Sequence, residues 1–116
     1  MALPKFLLKI RFGGIDRPEL SYEELVAKYH EALDAGGKAS AAYIPPLVKV
    51  NQKEQLLSKY ENEKIKLLKV LNKWSEKQLS TNVANHPLLG KCTVRELLYF
   101  TIYHNYHHLN IIKDIR

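Results

Sequence analysis

Near its C-terminus the chain reads YHNYHHLNII, from Tyr103 to Ile112, and three of its five histidines, His104, His107 and His108, lie in this stretch. Neutral imidazole is a good ligand for divalent ions such as zinc, and its charge changes close to neutral pH. On a helix, residues four apart share a face, with Cβ atoms about 6 Å apart. His104 and His108 have that spacing, so both rings can reach one ion at a bond length of about 2.1 Å. His107 is rotated by about 60° from His104, away from His108. It is a candidate to support a ligand from outside the pair or simply to lie on the surface. The bland alternative is that protonated histidines near a helix C-terminus interact favourably with the helix dipole.

Two histidines do not complete a catalytic zinc site, which usually has three protein ligands and one open position. His30, His86, Cys92 and the carboxylates are the remaining candidates, and spacing marks none of them. His86, in NHPLLG, reads as a turn residue whose ring hydrogen-bonds to backbone. His30, in AKYHEAL, reads as a solvated or half-buried helix residue. Cys92 precedes a helix start, where a thiol pKa can fall. No base adjoins it, so it reads as a small packed residue. Gly13-Gly14 and Gly36-Gly37 lack the pattern of a phosphate loop.

Helices must position these groups. SYEE offers Ser21 as N-cap and Glu24 three residues on, a capping box, and Gly36-Gly37 should end that helix. Pro45-Pro46 makes GKASAAYIPPLVKV an extended crossing, with Tyr43, Ile44, Leu47 and Val48 expected to touch the core. A long helix is expected from about Asn51, as cap, to about Leu79. Its stripe is Leu56, Leu57, Tyr60, Leu67, Leu68, Leu71 and Trp74, interrupted by Lys64, whose stem should pack while its head snorkels. STNVANHPLLGK reads as a loop. TVRE then opens the last helix, with Thr93 as cap and Glu96 completing a capping box. No segment is assigned to a strand. The two long helices need partners for their apolar stripes, from a second copy or from parts of a fuller bundle.

Bulk properties exclude some classes. The chain has 116 residues, 46% hydrophobic and 26% charged, which suits one globular domain. One cysteine permits no internal disulfide and no thiolate-rich zinc site, and it suits a reducing, cytoplasmic setting. The net charge is +6, but KYENEKIK alternates signs like a solvated helix face, so nucleic acid is not the expected partner. Lys9 and Arg11 break the apolar N-terminal run, which reads as a short amphipathic segment, and no stretch reaches membrane-span length.

HPLLGKCTVRELLYFTIYHNYHHLNII closely resembles the C-terminal end of the DinB-like superfamily, also called YfiT-like metalloenzymes. The shared features are a His-Pro and glycine turn, a capped helix, an H-x-x-H-H cluster and a polar residue before an isoleucine. EELVAKYHEALDAGGKASAAYIPP is similar to the connection between the second and third helices in one branch. The resemblance implies an up-and-down four-helix bundle holding a divalent metal, zinc or nickel, on three histidines. Two of these map onto His104 and His108. The first two bundle helices, and the third histidine with them, have no expected counterpart in this sequence.

The expectation is therefore an all-α chain, with residues 1–116 forming one incomplete DinB-like domain. It comprises two long helices, a shorter N-terminal helix and an extended connector. If active, it would be a thiol-dependent transferase or hydrolase-like protein acting on a small-molecule or thiol substrate. Metal-assisted chemistry would use His104 and His108 as ligands and His107 beside them. The alternative is a non-catalytic interaction module that forms a homodimer and whose metal site has degenerated.

Overall fold

A capping box starts the first helix, α1 (Tyr22–Asp34), as the sequence predicts. The Ser21 hydroxyl accepts from the Glu24 N–H at 3.2 Å, and the Glu24 carboxylate accepts from the Ser21 N–H at 3.3 Å. The helix ends where the glycines require it. Gly36 has φ +94°, Gly36 N–H donates to Leu33 O, and Gly37 N–H donates to Ala32 O. This left-handed ending satisfies carbonyls that the last turn leaves open. The structure, a computed structural model, describes residues 14–38 and 44–115. The N-terminal amphipathic segment and the expected core contact of Tyr43 fall outside those residues.

The connector after Pro45-Pro46 is non-helical, as expected, but it does not touch the core. Ile44, Leu47 and Val48 are all exposed. A 3-10 turn, Val50–Gln52, leads into α2 (Lys53–Leu71). Gln52, rather than Asn51, closes the turn onto the Lys49 N–H at 2.9 Å.

The expected single helix to Leu79 is two helices. α2 stops at Leu71, and α3 (Glu76–Thr81) restarts after a short break. Ser75 and Gln78 form a capping box of their own, with bonds of 3.1 and 2.9 Å. A serine that supplies an N-cap favours a new start over a continuous run.

The expected loop before the last helix is a β-hairpin. β1 (Val83–His86) pairs antiparallel with β2 (Gly90–Thr93), with Val83 opposite Thr93 and His86 opposite Gly90. Gly90 takes φ +74°, the left-handed step that closes so short a connection. The strands are too short to show a period of two in the sequence.

The last helix, α4 (Val94–Ile115), opens on the expected box. Thr93 Oγ1 accepts from the Glu96 N–H at 3.1 Å, and the Glu96 carboxylate accepts from the Thr93 N–H at 2.8 Å. At 1.5 Å per residue it is about 33 Å long.

The chain is mostly helical, but the described residues do not form a clear four-helix bundle. α1 and the hairpin pack on the first half of α4. Leu25, Tyr29, Leu89 and Cys92 form the centre of the core, joined by Leu33, Leu97 and Phe100. Leu25, Tyr29 and Leu33 recur at four-residue spacing, which lays one stripe of α1 on α4. α2 lies apart, with the 3-10 turn as its main neighbour and no buried residue. The first part of its stripe, expected to pack, is open, with Leu57 56% exposed and Tyr60 58%, whereas Leu67, Leu71 and Trp74 are half-buried. Lys64 snorkels over no packed surface and pairs with Glu61 at 3.0 Å.

An ionic hub locks the base of α4. Glu96 has no exposed surface. Its two oxygens accept from Arg17 Nη1 at 2.7 Å, Arg17 Nη2 at 2.9 Å, Leu20 N–H at 2.7 Å and Thr93 N–H at 2.8 Å. Four donors fill the capacity of a carboxylate. Burial alone would raise its pKa, but the Arg17 and backbone hydrogen bonds, with the Arg17 charge, outweigh it and hold the pKa below the usual value. Glu19 extends the hub, accepting from Thr93 Oγ1 at 2.6 Å and pairing with Arg95 at 3.2 Å.

Candidate functional site

The second half of α4 emerges from the hairpin core with His104, His107 and His108 on it. The Nε2 atoms of His104 and His108 lie 2.9 Å apart, and their ring centroids are separated by 4.3 Å. Two nitrogens bound to one ion at about 2.1 Å sit roughly 3.0 Å apart at right angles and roughly 3.4 Å apart at the tetrahedral angle. The observed separation is close to the first figure, and a small rotamer change reaches the second. The donor set therefore fits a divalent ion as a two-histidine ligand pair. The same contact also accommodates one N–H···N hydrogen bond between a donor ring and an acceptor ring.

Packing fixes His104 more firmly than His108. His104 is half-buried and stacks on Phe100, with centroids 4.9 Å apart and planes 21° apart, whereas His108 is exposed. Burial, then the neighbouring His108 and His107, lowers the His104 pKa. Neutral imidazole, the form that binds metal, is favoured there.

Tyr29 is the organising residue that sequence reasoning missed. Its buried ring meets Phe100 edge-on at 5.0 Å, Tyr103 at 6.0 Å, His107 at 6.2 Å and His104 at 6.3 Å. Edge-to-face pairs of this kind contribute beyond the area they bury. Burial raises the Tyr29 pKa, so the phenol stays neutral. The only sequence signal for it was the four-residue spacing from Leu25 to Leu33.

His107 is half-buried on the same stretch of α4. Its ring lies 5.6 Å from that of His108 and 5.8 Å from that of Tyr103. The remaining candidates are occupied elsewhere. His30 is exposed, and its Nε2 shares a short hydrogen bond with the Tyr103 hydroxyl. His86 Nδ1 accepts from the Leu88 and Leu89 N–H groups at 3.1 and 3.2 Å. This is the turn-residue role expected for it. It leaves the proton of the neutral ring on Nε2, where it blocks ligation. Desolvation, then His104, lowers the His86 pKa. Cys92 has no exposed surface, and burial pushes its thiol up to about 11, so it is a packed residue and not a reactive thiolate. Among the described residues no cluster of three or more His, Cys, Asp or Glu side chains has metal-binding geometry.

No curated protein and no solved structure matches the chain. One family model, of the DinB superfamily, matches residues 8–112, most of the chain: the chain belongs to the DinB superfamily.

Proposed function

We propose that this chain is a metal-binding DinB-family domain in which His104 and His108 hold one divalent ion, zinc or nickel, through their Nε2 atoms. The convergence of those two atoms to 2.9 Å carries the reading. When bound, such an ion lowers the pKa of a coordinated water or thiol or polarises a substrate group, which suits transfer to a thiol or hydrolysis of a small substrate. The chain's own residues then have distinct tasks. Phe100 holds the His104 ring in plane. His107, half-buried beside His108, is placed to accept or release a proton at the mouth of the site. Tyr103 and His30 form a hydrogen-bonded pair on the same side, with Tyr103 a neutral hydroxyl because burial, then Tyr29 and Tyr22, raises its pKa.

Metal analysis of the purified chain tests this, with His104→Ala and His108→Ala beside it. Near-stoichiometric zinc or nickel, lost in both variants, is the expected result. A folded chain that binds neither metal above the level of the two variants would refute it. The second reading, a non-catalytic interaction module, is favoured by a different observation: the long apolar stripe left open on α2.

A further inference from the structure

The His104 ring belongs to a row of rings that begins in the hairpin. Phe100, His104 and His108 recur at four-residue spacing on α4, so their side chains follow one another along one face. His86, at the end of β1, meets Phe100 with ring centroids 4.3 Å apart and planes at 70°. Phe100 stacks on His104 at 4.9 Å and 21°, and His104 meets His108 at 4.3 Å and 72°. Tyr29, buried on α1, adds edge contacts to Phe100 at 5.0 Å and to His86 at 6.5 Å.

The start of the row is itself fixed. His86 Nδ1 accepts from the Leu88 and Leu89 N–H groups, Leu89 is buried in the core, and His86 lies opposite Gly90 across the hairpin. The His86 ring cannot turn without breaking those two hydrogen bonds. His86, Phe100 and His104 are all half-buried, whereas His108 is exposed. Constraint therefore falls off along the row, from the hairpin outward. A ligand ring already held in its bound rotamer loses less freedom when an ion arrives than a ring that is free to turn.

The geometry points to His86 and Phe100 as positioning residues for the His104 ligand. The hairpin holds the His86 ring, His86 and Tyr29 hold Phe100, and Phe100 holds the His104 imidazole with its Nε2 turned towards His108. This rests on the reading of His104 and His108 as a ligand pair, and it gives the hairpin a task towards that pair. His86 acts through its ring contact and not as a ligand, because the turn occupies its Nδ1.

Two substitutions separate the row of rings from the fold. His86→Asn keeps an acceptor where Nδ1 stands, so the turn still closes, but it removes the ring that meets Phe100. Phe100→Leu keeps an apolar side chain against the core but removes the stacking face, and Phe100→Tyr restores that face. The first readout is the proton NMR signal of the His104 ring in the metal-free full chain, identified by its loss in His104→Ala. It is taken at about pH 8, where an ordinary imidazole is neutral. Stacking on Phe100 should shift this signal upfield in the wild type and in Phe100→Tyr. The shift should collapse in Phe100→Leu and shrink in His86→Asn. The second readout is zinc affinity, from competition with a chelator. It should fall about 10- to 100-fold in Phe100→Leu, roughly tenfold in His86→Asn and little in Phe100→Tyr, in line with partners that orient a metal-bound histidine. A His104 signal unmoved in both His86→Asn and Phe100→Leu, with circular dichroism unchanged, would overturn the inference whether or not the wild type takes up zinc. So would an affinity that falls as far in Phe100→Tyr as in Phe100→Leu, since the loss would then not follow the ring. A wild type whose His104 signal responds as expected but which binds no zinc would refute the ligand pair and support the positioning of the ring.

Discussion

The base of α4 and the whole of α2 are both helical, yet they are held by different physics. At the base of α4, Leu25, Val83, Cys92 and Val94 are almost fully buried, and four donors meet the Glu96 carboxylate. Along α2 no side chain is buried, and the ion pairs, Glu61 with Lys64 and Glu63 with Lys66, are exposed. Exposed pairs of this kind contribute a few tenths of a kcal/mol each. The contrast teaches that the base of α4 is stabilised by its own tertiary contacts, whereas α2 has no fully buried side chain.

The sharpest way to break that contrast is at Glu96. Glu96→Ala leaves Arg17 partly buried with no anion and orphans the Leu20 N–H, so a loss of about 3–5 kcal/mol is expected in urea unfolding. The hub also sets a pH dependence. The Glu96 pKa is lower in the folded protein than its ordinary 4.5. Its contribution is fully present above that value and is lost as the pH falls through the lower folded value. Acid unfolding should therefore begin below about pH 4.5, and Glu96→Gln should flatten it. A variant with unchanged acid stability would show that the hub is not what holds α4.

A smaller effect separates the two regions directly. Leu25→Ala in the core should cost about 2–5 kcal/mol. Leu57→Ala on the exposed part of α2 should cost under about 0.5 kcal/mol beyond its propensity change. Equal costs would mean that α2 packs within the protomer after all. The smallest effect belongs to the junction. Ser75→Ala removes the α3 cap and should cost about 1 kcal/mol, visible as faster amide exchange at Gln78.

The capped starts at Ser21 and Thr93, the glycine ending of α1 and the spacing of His104 and His108 were all legible in the sequence. Each depends on residues within four positions of one another, and local geometry decides them. The break at Leu71 was legible in principle, because Ser75 and Gln78 carry the same capping signature as the other starts. The hairpin was less so, since its two strands are too short for a period of two to stand out.

What the sequence by itself determined is thus the helical class, the placing of His104 and His108 on one helix face, and membership of the DinB superfamily. Tertiary structure alone decided which stripes are covered. It brought Arg17 onto Glu96 across 79 residues, set Tyr29 against Phe100 and the histidines, and turned His86 back onto its own hairpin. The physical reason is range. Caps and helical spacing are local, whereas burial depends on which distant surfaces meet, and an apolar stripe looks the same in sequence whether or not a partner lies on it.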